Sequence, residues 1–228
     1  VEQGVGQQAR RWLVGGGDER DALDLIARDG LRALTHRAVD RALALPDGSC
    51  SYYFRTRGAL LDAAVHRLAE RSRDAFEHSG LTRPPTPPDV DAAARAVATA
   101  LDRDLAHRRR DLLVRYALAT DPTIGAEQRA GLATALFSRA AARDLVAACG
   151  ADDADSAAAD LVSLVEGLTA DRLLGARSLD GFVAGTAASV AQLTRPIAVY
   201  LRGLDGGGGT GLPPGRPIRE SGEDTWRA

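Results

Sequence analysis

The chain has 228 residues, enough to bury a sizeable core as one large unit or as a small unit beside a larger one. Its formal charge is −2 and its apolar share 45%, and no apolar run approaches the roughly 20 residues of a membrane helix. Two cysteines, Cys50 and Cys149, and four dispersed histidines offer neither a disulfide framework nor a metal-ligand pattern, so no metal or cofactor is expected. The apolar Trp12-Leu13-Val14 behind Arg10-Arg11 is too brief for a signal peptide, which reads as a cytoplasmic protein.

Residues 1–17 read as a loose arm ending in three glycines. Asp18 is placed to cap a first helix, with Glu19 and Asp21 suiting its dipole and Ala22, Leu25 and Ile26 on one face. Gly30 ends that helix as a C′ residue, with Leu31 folding back on Ile26. Thr35 caps a second helix that turns Ala38, Val39 and Ala42 inward. Pro46-Asp47-Gly48 is a turn signal, and Ser49 caps a short third helix through Phe54. Thr56 opens a longer fourth helix whose stripe is Leu60, Leu61, Ala64, Val65, Leu68, Ser72 and Phe76. From Arg32 to Arg57 five arginines stand against Asp40 and Asp47, a local excess of +3 suited to a phosphate backbone or to a solvated face.

Four prolines among residues 84–88 cannot continue a helix and mark a junction. Beyond it, helices are predicted from Asp89 to His107, around Leu112, Leu113 and Tyr116, and from Asp121-Pro122 to near Gly150. Two more run from Ser156 to Ala176 and from Leu179 to Leu201. The glycine- and proline-rich stretch 203–228 reads as a disordered tail. With no alternating strand pattern, the fold class is all-α. The organisation is an arm at 1–17, a helix-turn-helix unit with a linking fourth helix at 18–80, a helical bundle at 89–202, and the tail.

Three short helices with a tight turn before the third outline a helix-turn-helix. Ala22 to Thr35 resembles the first helix and following turn of the TetR family of transcriptional regulators. Gly48-Ser49-Cys50-Ser51-Tyr52-Tyr53-Phe54-Arg55-Thr56 and the residues to Leu61 resemble that family's recognition helix and the start of helix four. The resemblance covers about Asp18 to Leu68. It departs at Ala44, where the family usually has glycine, and at Ser51, where a tyrosine is common.

The resemblance implies a sequence-specific DNA-binding regulator and no enzyme: a repressor released from a palindromic operator by a small-molecule effector, acting as a homodimer. It implies that the third helix enters the major groove with its N-terminal amides and short polar side chains near bases and phosphates. Base-facing candidates are then Arg37, Asp47, Gly48 and Ser51; phosphate candidates are Thr35, His36, Ser49, Tyr52, Tyr53 and Arg57. Two readings stand for Thr35 and Ser49, helix cap and phosphate contact, and two for Tyr53, core and phosphate contact. Asp47 equally suits a purely turn-shaping role, and Cys50 suits a small buried thiol. The arm around Gln7 to Trp12 suits either a minor-groove contact or an unstructured end.

For a ligand pocket the bundle offers Leu101, His107, Leu113, Tyr116, Leu136 and Phe137, with the corner His107 to Arg110 as polar handles. For a dimer face it offers Leu161, Leu164 and Leu168 on the penultimate helix and Gly185, Ser189 and Gln192 on the last. Two rivals remain at this level. An enzyme lacks any nucleophile-base spacing, phosphate loop or metal cluster in the sequence. A helical interaction module requires the basic, hydroxyl-rich stretch from Thr35 to Arg57 to be coincidental.

Overall fold

Local capping signals set most of the helix starts. The computed structural model describes residues 22–42, 44–79, 89–133 and 137–204. The arm and the Asp18 cap, the proline junction, Leu136 and residues 205–228 of the tail lie outside these residues, while Gly203 and Leu204, expected in the tail, end the last helix. The described residues form α1 (Ala22–Asp29), α2 (His36–Ala42), α3 (Ser49–Tyr53), α4 (Arg57–Glu77), α5 (Val90–His107), α6 (Arg109–Ala119), α7 (Ala126–Ala133), α8 (Arg139–Ala148), α9 (Ala154–Leu173) and α10 (Ala187–Leu204). Among them there is no strand. Thr35 Oγ1 accepts the Ala38 N–H at 3.2 Å, Thr56 Oγ1 the Ala59 N–H at 3.1 Å, and Asp89 the Asp91 N–H at 3.0 Å. Gly30, at φ 79°, closes α1 with its N–H on the Ile26 carbonyl.

Two boundaries differ from expectation. The stretch expected as one long helix from Asp121 is two helices, α7 and α8, and α7 starts only at Ala126, after a turn in which the Asp121 carboxylate accepts the Thr123 N–H at 2.8 Å. Ser138 then caps α8 afresh. The last helix begins at Ala187 and not at Leu179: Leu179 ends a 3-10 turn from Ala176, and Gly181 and Gly185 then take positive φ, which no α-helix accommodates.

Two cores result. The first joins Leu23, Ile26, Leu34, Val39 and Cys50 to Leu60, Leu61 and Leu68 of α4. It continues into Val114 and Leu118 of α6 and Leu132 of α7, so it does not stop at the end of α4. A Cβ at Gly131 would lie 2.8 Å from Val65 Cγ1, which is why α7 can sit so closely on α4. The second core gathers α5, α8, α9 and α10 around Val97, Leu101, Val146, Leu161, Leu193 and Ile197. Among the described residues no helix is long and apolar enough to cross a membrane.

Candidate nucleic-acid interface

The third helix has five residues and cannot stand alone, so its position depends on what holds its ends. The N-terminal end is held from α2. Asp40 is fully buried; its Oδ2 accepts the Gly48 N–H at 2.9 Å and its Oδ1 the Cys50 N–H at 2.7 Å. Its own carbonyl accepts the Leu45 N–H at 2.8 Å. Ser49, expected as the cap, is the first helical residue, and its hydroxyl donates to the Pro46 carbonyl at 2.6 Å. The Ser49 N–H also bonds Pro46. Thus the amides of residues 48, 49 and 50 are all engaged within the protein, contrary to the expectation that they face phosphates or bases. Gly48 precedes the helix at φ 88°, a conformation that favours glycine.

The turn itself contains Ala44 at φ 51°, the single non-glycine residue with positive φ among the described residues. The departure noted in the sequence therefore falls where left-handed backbone is required, at a cost of about 1 kcal/mol. At the other end of α3, the His36 ring Nε2 donates to the Phe54 carbonyl and ties the first residue of α2 to the residue that follows α3. Cys50 is fully buried, and burial, then the neighbouring Asp40 charge, pushes its thiol up to about 12. It is a packing residue without thiolate chemistry near neutral pH.

The outward face carries most of the remaining candidates. Arg37, Asp47, Gly48 and Ser51 are exposed, as is Thr35; the Ser51 hydroxyl donates to the Gly48 carbonyl at 2.8 Å. Tyr52 is 75% exposed, while Tyr53 is half-buried and meets it edge to face with centroids 5.0 Å apart. Phe54 packs on the first core. Arg57 is engaged inward at its tip: Nη1 donates to the Leu34 carbonyl at 2.7 Å and Nη2 to the Leu31 carbonyl at 3.0 Å. It holds the 3-10 turn between α1 and α2. Arg32, Arg41 and Arg55 are exposed beside this face. Sequence reasoning missed Asp40, whose one signal was an acid set in the inward-turned stretch Ala38 to Ala42.

No family model and no curated protein matches the sequence. Solved structures do match. A transcriptional regulator from Rhodococcus sp. Rha1 is 22% identical over 88% of this chain and 97% of its own, with a TM-score of 0.62. A TetR-family member from Streptomyces coelicolor A3 is 21% identical over 84% of this chain and 96% of its own, at 0.56. The chain has a TetR-like fold. A structure of the multidrug binding protein EbrR complexed with proflavin is also similar, at 22% identity over 84% of this chain and 98% of its own, with a TM-score of 0.50.

In this TetR-like fold the pocket candidates do not converge. Leu101 and Phe137 meet at a cavity of about 30 Å³ under α4, with Ser72, Phe76, Asp104 and Val165 in its wall. That is room for a water or two. His107 is exposed at the end of α5, and Leu113 borders an open groove beside α1 and α2. The Tyr116 hydroxyl donates to the Glu166 carbonyl at 3.2 Å and is pushed up to about 12 by burial, then by the Glu166 charge. The His107 to Arg110 corner forms a joint between helices, and Arg109 and Arg110 also line the open groove. Arg108 Nη2 donates to Ser72 Oγ of α4 at 2.6 Å, and Arg110 pairs with Asp24 of α1.

Four of the expected dimer contacts are engaged within the chain, two of them buried. Leu161 and Ser189 are fully buried within the chain. The Ser189 hydroxyl donates to Asp102 and accepts from Arg172 Nη2 at 2.7 Å. The Gly185 N–H donates to Asp102 Oδ2 at 2.8 Å, and Gln192 Oε1 accepts from Arg172 Nη1 at 2.7 Å. Asp102, Arg172 and Ser189 form a buried polar cluster between α5, α9 and α10. Leu164 and Leu168 are half-buried at the edge of the second core. What faces out is Ser163 and Gly167 on α9, Ala188, Ala191, Arg195 and Val199 on α10, and Leu174, Leu179 and Val183 near the connector.

Proposed function

We propose that the chain is a sequence-specific, DNA-binding transcriptional regulator of the cytoplasm, with no catalytic role, that acts as a homodimer and answers to a small-molecule effector. The observation that carries this reading is the α2–turn–α3 unit. Its inner face is fixed by Asp40 and His36, while its outer face presents Arg37, Ser51, Tyr52 and Arg55 with no packing partner over most of their surface. Arg37 reads a base, Tyr52 and Thr35 contact phosphates, and Asp47 shapes the turn. Similar solved structures described as transcriptional regulators, both from Rhodococcus, support the assignment.

Effector release is the finer part. EbrR, of similar fold, binds proflavin. In this chain the small cavity under α4 is the natural place for an effector, and drug-sized ligands occupy about 300–1,000 Å³. Binding must therefore open the cavity by displacing Phe76 of α4, which carries α4 with it and changes the separation of the two recognition helices. The dimer face runs along the outward side of α9 and α10.

Selection of bound duplexes from a random pool tests the reading. A recovered motif with two half-sites about one helical turn apart is expected. Recovery of no motif, with binding to every duplex equal and governed by salt alone, would overturn it.

A further inference from the structure

A buried carboxylate on the inner face of a DNA-reading unit is out of place on electrostatic grounds, since its charge opposes phosphate. Asp40 is fully buried all the same, and both its oxygens point at amides of the loop-to-helix junction. Those amides belong to Gly48 and Cys50, on either side of the first residue of α3. The backbone between Asp40 and Gly48 passes through Ala44 in a left-handed conformation, and the Asp40 carbonyl also holds Leu45. One residue therefore fixes the turn at its start and the recognition helix at its end. No side chain of α3 itself supplies an N-terminal cap.

We infer that Asp40 is the positioning residue of the recognition helix, and that by engaging the Gly48 and Cys50 amides it restricts reading of DNA to the side chains on the outer face of α3. The inference rests on the DNA-binding reading and deepens it. The carboxylate accepts two charge-assisted hydrogen bonds in a region that excludes water, where such bonds are strong and their loss is expensive. An asparagine in its place offers one acceptor and turns an NH₂ group toward the second N–H donor, so one amide of the pair loses its partner. The helix is then free to rotate on α2, and a rotation that shifts a side chain by an ångström or so disrupts bidentate base contacts more than it disrupts phosphate contacts.

The test uses the full chain, a duplex selected by the wild type, and an unrelated duplex of equal length. Asp40→Asn should raise amide exchange at Gly48 and Cys50 by about tenfold or more, leaving α9 unchanged. It should weaken affinity for the selected duplex about ten- to hundredfold and leave affinity for the unrelated duplex within about twofold. The second variant, Asp40→Asn with Ala44→Gly, separates position from stability. Glycine relieves the φ of 51° at residue 44 and restores thermal stability, but selectivity stays lost. Selectivity that returns together with stability would make Asp40 a merely structural residue and overturn the inference, as would full selectivity in Asp40→Asn alone. A wild type that selects no duplex overturns the DNA reading itself, and the role of Asp40 in recognition falls with it.

Discussion

At the scale of single residues, strain and capture of main-chain groups shape the unit of α2, the turn and α3. Ala44 sits at φ 51° with an exposed side chain, so replacing its Cβ by hydrogen removes a steric cost and no packing. Ala44→Gly should stabilise the protein by about 1 kcal/mol, less a few tenths for the freer unfolded chain; the shift of the urea midpoint checks this. Arg57 was expected at a phosphate, yet its two terminal nitrogens hold the carbonyls of Leu31 and Leu34. Arg57→Ala should cost about 1–3 kcal/mol of stability, and Arg57→Lys should recover only part of it, because an ammonium cannot span both carbonyls as a planar fork does. Equal stability of all three proteins would contradict that role. The caps at Thr35 and Thr56 were readable because a cap is a contact over three residues. Asp40 to Cys50, His36 to Phe54 and Arg57 to Leu31 span ten to twenty-six residues, and no local pattern encodes them.

At the scale of elements, polar links join α4 to the helices beyond it. Arg103 of α5 donates to the Ala75 and His78 carbonyls at the end of α4, at 3.2 and 2.9 Å. Arg108 reaches Ser72, Asp104 and Asp111, and Arg71 of α4 reaches Asp111 at 3.1 Å. Within this joint, burial raises the Asp104 carboxyl above its ordinary 3.8, against the pull of Arg108 and Arg103. A carboxyl whose folded pKa is raised penalises the fold in its charged form. The penalty is full at neutral pH and fades as pH falls through the folded pKa toward 3.8. Asp104→Asn should therefore gain stability relative to wild type at pH 7 and lose that advantage as pH approaches about 4. Urea midpoints at the two pH values measure this, and an advantage that grows on acidification would contradict it. The α4 stripe was legible from its repeat of three and four. The start of α7 at Ala126 was missed because Asp121-Pro122 reads equally well as a helix start and as the turn it proves to be.

For the whole molecule, the two cores meet where α6 and α7 leave the second unit and pack under the first. That shared packing gives the C-terminal helices a mechanical route to α4, and the cavity under α4 lies on it. The all-helical order and the TetR-like architecture were legible in the sequence, since helix stripes and the turn at Pro46 to Gly48 are local patterns. The inward roles of Ser189 and Gln192 were not, because small and polar residues on α10 suit the chain's own interior as well as a partner. Ser189 and Gln192 prove to serve Arg172. Val199, 65% exposed on the outward stripe, is the better probe. Val199→Glu should shift the protein toward monomer in analytical ultracentrifugation, whereas Ala at the same site should not; an unchanged dimer in both would move the interface elsewhere.

The central claim is that DNA meets the outer face of α2 and α3. The most direct measurement is a titration of the isotopically labelled protein with a selected duplex, following backbone amide shifts by NMR. The largest changes are expected at Thr35, Arg37, Ser51, Tyr52 and Arg55, with the amides of α8 moved little. Changes concentrated in the groove beside Arg109 and Arg110, or on α9 and α10, with α3 unmoved, would contradict it.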